Sequence, residues 1–85
     1  MLRKIDEDKK IEIMFELYDG HRTKVEKLGF VDEVEEIFSF VDTWLDKNST
    51  VVSHYKRYLM EDSQLRVDYG AHNAFFLCKN VVLEM

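Results

Sequence analysis

Residues 31–47 read VDEVEEIFSFVDTWLDK, and this stretch has the clearest periodic pattern of the chain. Successive side chains of an α-helix are about 100° apart, and this spacing puts six apolar side chains within one arc of about 120°. Asp32 followed by Glu35 predicts an N-cap and a capping box, and Asn48 predicts the end of the helix. We therefore predict an amphipathic helix over Val31–Lys47. Its apolar side consists of Val34, Ile37, Phe38, Val41, Trp44 and Leu45.

The opposite side of this predicted helix is acidic. Between Phe30 and Asp46 there are six carboxylates and neither lysine nor arginine. The whole chain has 12 basic and 17 acidic residues, a formal charge of −5, so this segment of charge −6 leaves the rest near +1. Phe40 lies outside the apolar side, close to Glu33 and Glu36. The sequence predicts a partner-binding surface formed by Asp32, Glu33, Glu35, Glu36, Phe40, Asp42 and Asp46.

Before the helix the pattern has a period of two. Over Ile11–Tyr18, apolar side chains alternate with a second set that contains two glutamates, which predicts a strand with one buried face. Asp19-Gly20 predicts a turn. The polar segment His21–Leu28 is a candidate for a second strand that pairs back on the first.

After the helix we expect three more strands. Val51–Met60 is interpreted as a strand because it is rich in β-branched and aromatic residues, although a helix is the alternative. Residues 61–63 predict a hairpin loop, and Leu65–Tyr69 and Phe75–Lys79 are two further strands around a turn at residues 70–73.

These elements predict an α+β fold. We expect a small, mostly antiparallel sheet of about four or five strands with one amphipathic helix packed on one face, in the order β(β)αβββ. A length of 85 residues is typical of a single domain. The charged residues 1–9 are expected to form a flexible N-terminal segment.

Composition excludes several classes of function. One cysteine allows no intramolecular disulfide, and the charged start is unlike a signal peptide. No apolar stretch approaches the roughly 20 residues that span a bilayer, so we expect no membrane association. A pI near 5.1 argues against direct nucleic-acid binding. A cytoplasmic protein is the simplest interpretation.

The sequence contains no pattern typical of catalysis. His21, His54 and His72 are not spaced as a helical metal pair, so we expect neither metal nor cofactor. Cys78 follows an apolar run, which predicts a buried, inert thiol rather than a nucleophile. We therefore predict that the protein is not an enzyme.

Residues 67–77, VDYGAHNAFFL, resemble a pattern near the C-terminus of small proteins from phages and mobile elements of Gram-positive bacteria. That pattern runs aliphatic, Asp, aromatic, Gly, Ser, two or three variable residues and then Phe-Phe. Here Ala71 replaces the serine. The resemblance implies a phage context and a hairpin. Several small acidic phage proteins of this general build inhibit host defence, among them anti-CRISPR proteins that act on Cas9.

Two functions follow as hypotheses. The first is a non-enzymatic phage-type inhibitor, a nucleic-acid mimic whose acidic helix binds a basic nucleic-acid-handling host protein, for example Cas9, in the host bacterial cytoplasm. The alternative is a small structural or regulatory homodimeric subunit with no inhibitory role. Such a dimer would be joined through a sheet edge or through the face that carries Met14 and Tyr18.

Overall fold

The computed structural model describes residues 1–48, 56–71 and 73–84. Within these residues one helix and seven strands form an α+β fold, with a mostly antiparallel five-stranded sheet and a second, two-stranded sheet. The fold class is therefore confirmed, while the element order departs from the predicted one at both termini. The elements are β1 (Leu2–Lys4), β2 (Ile11–Tyr18), β3 (Thr23–Val31), α1 (Glu35–Asn48), β4 (Arg57–Glu61), β5 (Gln64–Asp68), β6 (Ala74–Lys79) and β7 (Val81–Leu83).

The larger sheet has the strand order β3-β2-β6-β5-β4, and every neighbouring pair in it is antiparallel. Strand β2 has the predicted bounds. Asp19 closes the β2–β3 hairpin, since its Oδ1 accepts hydrogen bonds from the backbone N–H groups of His21 and Arg22, both at 3.0 Å. These two bonds lower the pKa of Asp19. Strand β3 runs to Val31, three residues further than the predicted strand.

The strands after the helix largely follow the prediction. Strand β4 covers the second half of the predicted Val51–Met60 strand, whereas residues 51–55 lie outside the described residues. The hairpin between β4 and β5 turns at Asp62 and Ser63, which both have positive φ, as a type I′ turn requires. The predicted turn at residues 70–73 contains His72, which also lies outside the described part. Asn73 there accepts a 2.8 Å bond from Tyr18 N and donates another to Tyr18 O.

The helix begins later than predicted. Val31 is the last residue of β3, paired with Ile11, and α1 starts at Glu35. The first turn is closed by Glu36 N donating to Glu33 O at 3.1 Å, so Asp32 lies before the helix and the predicted capping box is wrong. The Asp32 carboxylate lies instead 3.4 Å from Lys10 Nζ. Val31, which the local pattern assigns to the helix, is therefore part of β3 because it pairs with β2.

The core lies between α1 and one face of the five-stranded sheet. The helix buries Ile37, Val41 and Leu45 there, as its apolar pattern predicts, against Ile13 and Phe76, both 0% exposed. An aromatic group stabilises the centre: the ring of Phe15 lies 4.5 Å from Trp44 and 5.3 Å from Phe76. Phe38, predicted on the apolar side, lies at its edge, 38% exposed and edge-on to Tyr58.

The N-terminal residues are anchored rather than flexible. Strand β1 pairs antiparallel with β7, and Ile5 N donates to Asn80 O at 3.0 Å. The Asn80 side chain accepts from Asp6 N at 2.8 Å and donates to Asp6 O and Lys9 O. The two-stranded sheet packs beside β4 and β5, where Leu83 N donates to the Met60 sulfur. Residues 1–9 therefore form part of the folded unit, contrary to expectation.

The helix found in the described residues is neither long nor apolar enough to cross a membrane.

Candidate functional site

The acidic surface predicted from sequence is presented by α1 and the short segment before it. Glu35, Glu36, Asp42 and Asp46 project from the helix, and Asp32 and Glu33 precede it. All six carboxylates are exposed because they lie away from the stripe that packs on the sheet. The structure therefore exposes all six predicted acidic residues along α1 and the segment before it. We call these six residues the acidic surface.

Two of the six carboxylates have a lysine partner that the local sequence does not reveal. Lys10, from the segment before β2, reaches Asp32 at 3.4 Å. Lys56, from the residue before β4, reaches Asp42 at 2.9 Å, and its own side chain is only 19% exposed. Among the described residues, the other four carboxylates have no lysine or arginine partner: Glu33, Glu35, Glu36 and Asp46. The local charge is thus weaker than the −6 of the segment.

Asp42 also acts on its neighbour in the next strand. Burial raises the pKa of the Tyr58 hydroxyl first, and the negative charge of Asp42 raises it further. Asp42 is therefore held between Lys56 and Tyr58 on the β4 side of the helix. It has a structural role in addition to any contribution to the acidic surface.

Phe40 differs most from its predicted position. It is half-buried and packs against the core, and it lines a groove together with Glu36. A Cβ atom at Gly29 would lie 3.4 Å from two ring atoms of Phe40, so the glycine lets the ring sit close to β3. One side of the ring thus belongs to the core, while the other lines a surface groove.

This groove runs between α1 and the end of β3 and has a volume of about 460 Å³. Its apolar floor is rigid because Trp44 is also held by Phe15 and, edge-on, by Phe76. Sequence reasoning missed all of the lining except Glu36 and Phe40, although the i, i+4, i+7 spacing of Phe40, Trp44 and Lys47 marks one side of the helix. We call it the Phe40 groove, lined by Val31, Glu36, Ser39, Phe40, Thr43, Trp44 and Lys47.

Across residues 1–48, 56–71 and 73–84, no three histidine, cysteine or carboxylate side chains converge in a way that would hold a metal ion. Cys78 is 0% exposed in the core, as predicted, and burial raises its pKa to about 12. Asp68, which lies near His72 in sequence, is bound by Arg66 at 2.8 Å and by Arg57 at 3.4 Å. The acidic surface and the Phe40 groove adjoin each other at Glu36, which belongs to both.

No family model, curated protein or solved structure matches this chain.

Proposed function

We propose that this chain is a small non-enzymatic inhibitor that binds a basic, nucleic-acid-handling protein through the acidic surface and the Phe40 groove. The observation that carries the proposal is the adjacency of these two features along one helix. A surface of one charge sign selects a partner of the opposite sign, and an apolar groove beside it holds the partner in place.

The unpaired carboxylates support recognition of a surface that normally binds phosphates. Side chains three or four apart on a helix are separated by about 5–6 Å, a spacing similar to that of successive phosphates. Glu35 and Asp46 lie on one side of the helix, and Glu36 lines the groove. Their field would speed association and select among partners.

Charge alone is too weak to give tight binding. An exposed ion pair contributes about 0–1 kcal/mol, so an inhibitor also needs an apolar anchor. The Phe40 groove supplies a pocket for one apolar side chain of the partner, with Glu36 at its wall and a floor that is already ordered. A preformed floor avoids the entropic cost of ordering side chains on binding.

The resemblance of residues 67–77 to phage proteins suggests the setting of this activity. A phage protein that resembles inhibitors of host defence would act in the bacterial cytoplasm, and Cas9 is a basic nucleic-acid-handling protein of that compartment. We therefore name Cas9 as the first partner to test, within the wider class of basic nucleic-acid-binding proteins.

The test compares two triple variants that change the net charge equally. The first variant changes three residues of the acidic surface: Glu35→Lys, Glu36→Lys and Asp46→Lys. It leaves Asp42 unchanged because Asp42 forms an ion pair with Lys56. The matched control replaces exposed carboxylates elsewhere: Glu7→Lys, Asp8→Lys and Glu26→Lys. Association and dissociation rates with a Cas9–guide RNA complex, and inhibition of its DNA cleavage, are measured at low and high salt.

We expect the helix triple variant to bind at least about tenfold more weakly, mainly through slower association, and the control to bind as the wild type does. Thr43→Tyr, which fills the groove from an exposed position, should mainly speed dissociation. A folded helix variant that still inhibits at full strength would refute the acidic surface as the interface. Wild-type protein that binds neither Cas9 nor a panel of other basic nucleic-acid-binding proteins would refute the proposed class.

A further inference from the structure

The face of the five-stranded sheet opposite α1 combines exposed apolar side chains with charges. Directly opposed residues of antiparallel strands share a face, so the register assigns each residue to one side. Glu12 opposes Phe30, Glu16 opposes Val25 and Tyr18 opposes Thr23, all on the side away from the core. Helix α1 and the core cluster lie on the opposite side of the sheet. We call it the helix-free face.

Exposed apolar residues are concentrated there. Tyr18, Val25 and Phe30 are 51%, 57% and 61% exposed, and they are three of the six large apolar or aromatic side chains that the described residues expose. They surround Met14, which is 5% exposed although it lies outside the core cluster, and its register partner Leu77. Apolar side chains on β2, β3 and β6 therefore lie among the charged residues of this face, a mixture that is typical of an interaction surface.

The charges of the helix-free face balance. It contains four acidic and four basic residues, so its formal charge is zero, whereas the whole chain has a charge of −5. Most of these charges are paired within the face, which lowers the cost of covering them. The eight residues are Glu12, Glu16, Glu61, Asp68, Lys27, Arg57, Arg66 and Lys79.

The pairing pattern identifies a fitting partner. Lys79 lies 3.7 Å from Glu12, and Arg66 binds Glu61 and Asp68 while its guanidinium covers the Phe75 ring at 3.9 Å. Glu16 and Lys27 of this face take part in none of the described ion pairs, so one negative and one positive side chain are left for a partner. They are diagonal neighbours on β2 and β3, because Met14 opposes Lys27 and Glu16 opposes Val25. A second copy rotated by half a turn presents Lys27 to Glu16 and Glu16 to Lys27.

We propose that two copies of this chain associate through their helix-free faces, around a two-fold axis near Met14 and Val25. Elsewhere the surface has the full charge of −5, so this face is where two copies meet without net repulsion. Glu16 of one copy then pairs with Lys27 of the partner subunit, and the reverse. Both α1 helices point outward, so a dimer presents two acidic surfaces. The association does not depend on the proposed inhibitory function.

The size of the face sets the expected strength. Five strands spaced about 4.8 Å apart, with five to nine residues each, give a sheet of roughly 24 by 22 Å. The area of such a face is at the lower end of the range that specific protein interfaces bury. We therefore expect a concentration-dependent equilibrium rather than a permanent dimer.

Sedimentation equilibrium over a range of protein concentrations tests the proposal. The wild-type mass should rise from 10.2 kDa toward twice that value. The double variant Val25→Glu with Phe30→Glu should remain at the monomer mass, since it places like charges across the axis. The matched control is Ile5→Glu, at an apolar side chain that is 56% exposed but lies outside the face. It should associate as the wild type does, and thermal unfolding confirms that each variant is folded.

A charge exchange tests the pairing itself. Glu16→Lys and Lys27→Glu alone should each weaken dimerisation at least about tenfold, and the two together should restore it. A wild-type protein that stays monomeric up to its solubility limit would overturn the proposal. Two other outcomes would also overturn the proposal: a dimer that persists in the Val25 and Phe30 double variant, and an exchange variant that fails to recover. Either would instead indicate pairing between β3 edges.

Discussion

Cys78 shows how burial in this small core determines the chemistry of a single residue. Its side chain is 0% exposed and packs with Ile13 and Phe76 in the core cluster. Removing a thiolate from water is costly, and desolvation accordingly raises the pKa of Cys78 to about 12. The thiol is therefore protonated at neutral pH and reacts slowly with alkylating reagents while the protein is folded.

The raised pKa makes stability depend on alkaline pH. The unfolded thiol ionises near 9.0, while the folded thiol keeps its proton to about 12. Between these values the unfolded state binds fewer protons than the folded state. The contribution of Cys78 to the free energy of unfolding is therefore fully present below pH 9 and is lost as the pH rises toward 12. We expect a loss approaching about 1.4 kcal/mol per pH unit from this group.

Urea unfolding at several pH values between about 8 and 11 measures this slope. Cys78→Ala should be less stable overall because of the cavity, but its free energy of unfolding should depend less on pH. The pKa values of Tyr58 and Tyr69 are also raised by burial, so both proteins keep a further dependence on alkaline pH. Parallel pH profiles for the two proteins would show that Cys78 is not the titrating group.

Within α1 and the segment before it, some residues pack the helix on the sheet and others are exposed. Val41 is 1% exposed in the middle of the buried stripe. Asp32 was expected to cap the helix, but it lies before the first turn and contacts Lys10 across an exposed 3.4 Å pair. The two positions therefore have very different expected effects on stability.

Val41→Asp should abolish cooperative folding, because it buries an unpaired charge in a core with little stability to spare. Asp32→Ala should cost less than about 0.5 kcal/mol, in the lower half of the range of an exposed ion pair, instead of the roughly 1 kcal/mol of a lost cap. Circular dichroism during thermal unfolding distinguishes these outcomes. A cost near that of a cap for Asp32→Ala would mean that the helix begins earlier than Glu35.

At the scale of the molecule, Asn80 joins the two sheets. It has φ 74°, a left-handed conformation that asparagine tolerates better than most residues, and it separates β6 from β7. Its side chain makes three hydrogen bonds to the backbone of Asp6 and Lys9. One residue therefore turns the chain between the sheets and anchors the N-terminal segment.

Two substitutions separate these roles. Asn80→Gly keeps the backbone conformation and removes the side-chain bonds, so we expect a loss of about 2 kcal/mol and faster hydrogen exchange in β1. Asn80→Ala should cost roughly 1 kcal/mol more, because alanine is strained at positive φ. Equal stabilities for the two variants would show that backbone strain at this position is negligible. Unchanged exchange in β1 would show that the side chain does not anchor it.

The sequence alone determined those features that depend on residues a few positions apart. The apolar stripe of α1, the bounds of β2, the turn at Asp19 and the burial of Cys78 all follow from local periodicity and turn chemistry. The acidic residues were found for the same reason, since a helix brings residues three and four apart onto one side.

Contacts between distant segments fix where α1 begins, which carboxylates are paired and where the groove lies. β3 extends to Val31 because that residue pairs with Ile11, and Lys10 and Lys56 reach Asp32 and Asp42 from other segments. The N-terminus is ordered because β1 finds a partner in β7, at the other end of the chain. Strand pairing and ion pairs of this kind join residues far apart in sequence, and no local pattern encodes which of them meet.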